Sequence, residues 1–128
     1  MRIVLAIGLS LLLACTPRGA ITFDPSAASV GQVTPVFIAT TRQLEAGGFG
    51  PDRSEKLHFA RYDISIPPLR EVGEINWPSR FAPPNPQRHF LTTNEVLYPE
   101  DKAFRADLKR QLAANGNEAV IFIHGYNN

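Results

Sequence analysis

Residues 119–128 read A-V-I-F-I-H-G-Y-N-N, and the first five of them decide the expected fold. This unbroken apolar run, residues 119–123, is typical of a strand buried on both faces of a parallel sheet. Upstream, residues 98–115 place large apolar side chains at four-residue spacing, which predicts a helix, and Gly116 is a favourable helix terminator. A helix, a glycine and a buried strand form an α/β unit, so the sequence predicts an α/β fold.

Two further strands are expected nearer the N-terminus. Residues 33–39 are dense in β-branched and aromatic side chains, with Pro35 indicating a sheet edge. Residues 59–66 alternate apolar and polar side chains until two prolines follow. The proline-rich stretch that comes next, residues 67–86, indicates an extended surface excursion with a short strand possible at 74–77.

The N-terminus has the pattern of an export signal. Arg2 supplies a positive charge ahead of a short uncharged apolar run, residues 3–14, which is too short to span a membrane. Residues 12–15 read L-L-A-C and resemble the lipobox of bacterial lipoproteins, which implies a diacylglycerol thioether on Cys15 after removal of residues 1–14. An ordinary signal peptide with a chance cysteine, or a buried apolar N-terminus, remains the alternative. The lipobox implies a cell-envelope location, on the periplasmic face of the outer membrane, with Cys15 lipidated at the membrane surface.

Composition narrows the class of protein. Of 128 residues, 44% are hydrophobic, which is enough to build a core, and 13 basic residues balance 12 acidic ones. A net charge of +1 without a basic run makes nucleic acid a poor partner. One cysteine excludes internal disulfides and cysteine-type zinc sites. We expect no metal and no cofactor. We divide the chain into a signal peptide (residues 1–14), a tether (residues 15–32) and a folded part (residues 33–128).

The residues after the apolar run carry the chemistry. Gly125 allows backbone to approach a ligand closely, and the N–H groups that follow it can converge on a developing oxyanion. This end of a strand in an open α/β sheet is also where ligands bind.

Residues 120–127, V-I-F-I-H-G-Y-N, resemble the third strand and oxyanion loop of α/β-hydrolases. Residues 36–42 (V-F-I-A-T-T-R), 49–50 (F-G), 53–54 (R-S), 64–67 (I-S-I-P) and 73–75 (G-E-I) before Pro78 are similar, in order, to the front half of a bacterial family of esterase/lipase-like α/β-hydrolases. The resemblance implies the N-terminal part of an α/β-hydrolase sheet. It also implies a small acyl or ester substrate, oxyanion-hole backbone N–H groups at Tyr126 and Asn127, and loop-structuring roles for His124 and Gly125.

The resemblance also implies a serine in G-x-S-x-G, an acid and a histidine, all expected beyond Asn128. No serine of this sequence lies in that motif; they are Ser10, Ser26, Ser29, Ser54, Ser65 and Ser79. We therefore expect a fragment of a serine hydrolase that is inactive by itself, arising from a truncated gene, a frameshift or an incomplete sequence. The alternative is a small non-catalytic envelope lipoprotein that acts as a binding or interaction module.

Individual residues also have plainer interpretations. His124 could be a catalytic base, but the resemblance implies a structural role, and Tyr126 with Asn127 could simply form a polar turn. Arg42 could pair with a substrate carboxylate, although a loop hydrogen bond or a structural ion pair is the default. His58 and His89 are expected to be surface histidines.

Overall fold

The fold is a three-stranded antiparallel sheet with one α-helix packed against it. The computed structural model describes residues 21–79 and 81–123. Its strands are β1 (Gln32–Glu45), β2 (Gly48–Ile66) and β3 (Leu91–Tyr98), in the spatial order β1-β2-β3. The helix α1 (Asp101–Ala114) follows β3, and a 3-10 helix (Pro25–Ser29) precedes β1.

A long hairpin of β1 and β2 forms the larger part of the sheet. Glu45 pairs with Gly48 across a two-residue loop, and Gly47 and Gly48 have φ angles of +98° and +130° that favour glycine. A loop this short forces the two strands to run antiparallel. Pro35 lies in β1, which is an edge strand in this sheet, as the missing N–H of proline requires.

The connection from β2 to β3 is irregular over residues 67–90, and the short strand considered at 74–77 does not form. Two backbone hydrogen bonds fasten this excursion: Leu69 N–H donates to Gln87 O at 2.9 Å, and Phe90 N–H donates to Asn76 O at 3.3 Å. The excursion therefore folds back on itself and returns the chain to the sheet at β3.

Residues at the start of the described chain also pack on the sheet. Ala27 in the 3-10 helix is fully buried, and its carbonyl accepts a hydrogen bond of 2.9 Å from the hydroxyl of buried Ser65. A Cβ atom on Gly31 would lie 2.4 Å from the carbonyl oxygen of Ile66, so only glycine fits there. Part of the segment expected to be a tether, residues 15–32, is thus in contact with β2.

The expected α/β fold, as the opening of an α/β-hydrolase sheet with alternating helices, is wrong. Within residues 21–79 and 81–123, both pairs of neighbouring strands are antiparallel, and one α-helix accompanies the three strands. Residues 119–123, expected to be a central parallel strand, join no strand of the sheet in the described chain, and their large side chains are 84–99% exposed. Hydrophobicity shows that a segment favours burial, but it does not specify which backbone the segment pairs with. The two-residue hairpin instead determines the direction of the strands.

The helix lies close to its predicted position. Expected over residues 98–115, it spans Asp101–Ala114, and Gly116 follows its C-cap with a φ of +71°. Phe104 is buried, while Leu108 and Leu112 are half-buried. No helix in the described residues is long and apolar enough to cross a lipid bilayer.

Candidate functional site

Every residue that the sequence assigned a functional role lies outside the described part of the chain. These residues are Cys15, His124, Gly125, Tyr126 and Asn127. The structure does describe the segment that leads directly into His124, and it describes how α1 is attached to the sheet ahead of that segment. It also shows two arrangements that the sequence did not reveal: an apolar cleft and a serine–histidine pair.

An aromatic cluster holds α1 on the sheet. The ring of Phe104 lies between the rings of Phe59 on β2, at a centroid distance of 4.9 Å, and Phe37 on β1, at 5.5 Å. The Tyr98 ring meets it edge-on at 5.6 Å. One helix residue therefore contacts aromatic side chains from all three strands. Its contacts with Phe37 and Tyr98 have the edge-to-face geometry that aromatic pairs prefer.

A buried carboxylate fixes the same helix by charge. Asp107, 6% exposed, accepts hydrogen bonds from Arg61 on β2 at 2.5 Å, from the hydroxyl of Tyr98 on β3, and from Arg110 at 2.7 Å. Arg61 also forms an ion pair with Asp63 at 3.0 Å. A buried carboxylate needs such partners, because without them its charge would be strongly disfavoured.

The pKa values of this cluster reflect its contacts. The hydrogen bond from Tyr98 and the charge of Arg61 hold the pKa of Asp107 below its ordinary value. Burial and the hydrogen bond to Asp107 raise the pKa of Tyr98 to about 12. Both shifts favour a charged carboxylate beside a neutral phenol. Asp107 lies three residues after Phe104, so the two side chains share a helix face. Sequence reasoning missed Asp107 because it followed only the apolar residues of this helix.

Beyond α1, the chain turns and continues without regular secondary structure through residue 123. Asn117, with a φ of +61°, donates its N–H to Leu112 O at 2.8 Å and closes the helix end. Residues 120–123 then run with four exposed apolar side chains up to the position of His124. The helix attachment at Phe104 and Asp107 thus fixes where this apolar segment leaves the body of the fold.

A serine and a histidine meet on β2. The Nε2 atom of His58 lies 3.0 Å from the hydroxyl oxygen of Ser54, which also accepts a hydrogen bond of 3.0 Å from Lys56 N–H. A nucleophilic pair needs a third group that orients the histidine and donors for an oxyanion. Among the described residues no carboxylate hydrogen-bonds to His58, so this pair has the hydrogen bond of a dyad without its supporting groups.

The other singled-out polar residues have structural contacts. Arg42 points its guanidinium at the carbonyl oxygens of Gly50 and Pro51, both at 3.4 Å, which matches the expected loop hydrogen bond. The ring of His89 accepts from Asn85 N–H at 2.9 Å through Nδ1. In the described ranges no three His, Cys, Asp or Glu side chains lie close enough together to hold a metal ion.

An apolar cleft of about 200 Å³ opens between the start of the described chain, the proline-rich excursion and the sheet. Its apolar lining side chains are Ile21, Ile64, Ile75, Trp77, Phe90 and Leu91. Trp77 is 49% exposed and Ile75 is 60% exposed, so the cleft is open to solvent along its rim. Exposed apolar surface of this kind, gathered around a depression, is characteristic of a binding site.

The chain matches no protein-family model, no curated protein and no solved structure.

Proposed function

We propose that this sequence supplies the oxyanion-binding segment of a serine-type acyl hydrolase. One observation carries the proposal: an apolar segment with exposed side chains, residues 120–123, leads directly into His124-Gly125-Tyr126-Asn127. The proposal concerns the chemistry of this segment, and it does not depend on the parallel sheet that the structure overturned.

The exposure of this segment supports the proposal. Val120 is 99% exposed and Ile123 is 87% exposed, although side chains of this size are strongly favoured to be buried. A run of four such side chains is suited to being covered by further protein. The glycine that follows His124 has no side chain, which allows an acyl group to approach the backbone N–H groups after it closely.

The proposed chemistry is acyl transfer through an acyl-enzyme. A serine hydroxyl adds to the substrate carbonyl while a base takes its proton, and the resulting oxyanion accepts hydrogen bonds from the N–H groups of Tyr126 and Asn127. Collapse expels the alcohol, which receives the proton, and water then releases the acid by the same steps. No serine in this sequence lies in G-x-S-x-G, so the proposal assigns the nucleophile to residues other than these 128.

A backbone substitution tests this role. In the protein encoded by the complete reading frame, Tyr126→Pro removes the N–H while Tyr126→Phe keeps it. We expect hydrolysis of p-nitrophenyl butyrate to fall about a hundredfold in the proline variant and to stay within about twofold in the phenylalanine variant. Absence of hydrolysis in the unsubstituted protein, or equal activities of the two variants, would contradict the proposal.

We propose further that Cys15 carries a lipid that anchors the protein in the cell envelope, at the periplasmic face of the outer membrane. The support is the sequence L-L-A-C behind a basic start and a short apolar run. Labelled palmitate should be incorporated into the protein and should be lost in Cys15→Ala. Equal incorporation by both proteins would exclude this anchor.

The apolar cleft favours a second candidate, a non-catalytic envelope lipoprotein that binds an apolar ligand. On this alternative, His124-Gly125 simply ends an extended segment. The hydrolysis assay separates the two candidates, because a binding module has no turnover. A sharp, cooperative unfolding transition of the isolated 128-residue chain would further favour the binding module.

A further inference from the structure

The cleft beneath Trp77 has the chemistry of a hydrocarbon site. Six of its eight lining residues have aliphatic or aromatic side chains, and the two threonines, Thr22 and Thr92, are joined through their backbones: Thr92 N–H donates to Thr22 O at 2.9 Å. At the same place, Asp24 N–H donates to Thr92 O at 2.8 Å. These three backbone groups, Thr92 N–H, Thr92 O and Thr22 O, are therefore already paired, and a ligand without hydrogen-bonding groups leaves them so.

The chain itself brings a hydrocarbon close to this cleft. Ile21 forms part of the cleft wall, and Cys15 lies six residues before it in the sequence. An extended chain spans at most about 3.5 Å per residue, so the sulfur of Cys15 can reach any point within roughly 20 Å of Ile21. That distance includes the whole cleft. A flexible acyl chain on Cys15 thus has an apolar site within reach of its own attachment point.

We propose that the cleft lined by Ile75 and Trp77 binds one fatty acyl chain of the lipid on Cys15. This inference rests on the lipid anchor proposed above. Bound in this way, the acyl chain covers the exposed rim of Ile21, Ile75 and Trp77 and holds the folded body against its anchor. Release of the chain into the bilayer uncovers the same rim.

The first arm of the test measures the cleft without the anchor. Trp77 is the single tryptophan of the chain, so its fluorescence reports on this cleft alone. We take the full chain made in a membrane-free translation system, where Cys15 is unmodified, and titrate it with 12-bromododecanoate, whose bromine quenches tryptophan. The expected result is saturable quenching below the micelle concentration, with no quenching by dodecanoate. Quenching that rises linearly without saturation would overturn the proposal.

Two matched variants locate the binding. Ile75→Asp places a charge on the cleft wall, while Val72→Asp places the same charge on an apolar residue that is 96% exposed and lies outside the cleft. Both residues are exposed, so the fold should survive, and circular dichroism checks this. We expect Ile75→Asp to weaken bromododecanoate binding at least tenfold and Val72→Asp to leave it unchanged. Equal binding by the two variants would overturn the proposal.

The second arm identifies the source of the acyl chain. The protein is produced in cells whose acyl chains are brominated, so that the lipid on Cys15 carries the quencher, and it is reconstituted in an excess of unbrominated phosphatidylcholine vesicles. We expect quenched Trp77 fluorescence in the wild type and in Val72→Asp, and recovery in Ile75→Asp. Unquenched wild-type fluorescence would overturn the proposal. A mass spectrum showing unmodified Cys15 would overturn it together with the anchor, while the first arm would still report on the cleft.

Discussion

Phe104 and residues 120–123 are two strongly apolar parts of the chain with opposite surroundings. Phe104 is buried among rings from all three strands, whereas Val120 through Ile123 are exposed although they are more hydrophobic as a run. The helix places Phe104 over the sheet, whereas residues 120–123 are not assigned to a strand in the described part of the chain. The hydrophobicity of a segment therefore shows that its burial would be favourable. Whether the segment is buried depends on where the topology of the fold places it.

The same contrast separates the structural and functional parts of the molecule. Phe104 and Asp107 attach α1 to the sheet and set the position from which the chain leaves. The exposed run, residues 120–123, leads into His124 and the residues after it. We propose that the backbone N–H groups of Tyr126 and Asn127 bind an oxyanion. Substitutions in the first region should change stability, and those in the second should change activity.

The largest expected effect is on Phe104. Phe104→Ala removes the contacts with Phe37, Phe59 and Tyr98, and it should lower the free energy of unfolding by about 4 kcal/mol. The control is Phe81→Ala, because Phe81 is 91% exposed and should change stability by less than about 0.5 kcal/mol. Urea unfolding followed by circular dichroism measures both. Similar losses in the two variants would remove the contrast drawn above.

Asp107 should come next. Asp107→Ala leaves Arg61 without its partner on α1, and it should destabilise the fold by about 3 kcal/mol. Asp101→Ala is the matched control, because Asp101 pairs with Arg105 on the exposed side of the same helix and should contribute less than about 1 kcal/mol. The same unfolding experiment at neutral pH compares them. An equal effect of both substitutions would show that Asp107 does not fasten the helix.

The pH dependence of stability follows from the lowered pKa of Asp107. Because the folded pKa lies below the unfolded one, the charged carboxylate stabilises the fold above about pH 4, and this contribution is lost as the pH falls through the folded pKa. Wild-type stability should therefore decrease on acidification more steeply than that of Asp107→Asn. Urea unfolding at intervals from pH 7 to pH 2.5 measures the two slopes. Parallel profiles would indicate that Asp107 has no such role.

The smallest effect on stability is expected in the exposed run. Ile121→Ser should change the free energy of unfolding by less than about 0.5 kcal/mol, because Ile121 is 84% exposed, and it should lower aggregation of the isolated chain. Light scattering during storage and urea unfolding provide the two measurements. Leu91→Ser, at a position that is 1% exposed, provides a destabilised reference. A loss in Ile121→Ser as large as in this reference would place the run in the core.

Local signals predicted the elements of the fold better than their arrangement. The spacing of Phe104 and the glycine at 116 gave the helix within a few residues, and residues 33–39 and 59–66 lie inside β1 and β2. The strand β3 was missed, because Asn94 and Glu95 interrupt its apolar pattern. Its first residues are buried through the pairing of Thr92 with the chain at residues 22–24, which is a contact between distant parts of the sequence.

The candidate sites differ in the same way. The residues His124 to Asn127 were found from sequence because they are contiguous. The cleft combines residues 21, 22, 64, 75, 77 and 90–92, whose proximity depends on the path of the proline-rich excursion. Asp107 was not singled out in the sequence, because its partners Arg61 and Tyr98 lie on other elements of the fold. Sites built from distant segments leave no local pattern to detect.

The measurement that tests the central claim most directly is covalent labelling of the nucleophile. The protein encoded by the complete reading frame is treated with a fluorophosphonate, which phosphonylates activated serines, and the labelled peptide is identified by mass spectrometry. We predict a single labelled serine, within a G-x-S-x-G motif and different from the six serines of this sequence. Labelling at Ser54 would indicate that the Ser54–His58 pair provides the nucleophile, and this result would contradict the proposed hydrolase. An absence of labelling would contradict it as well.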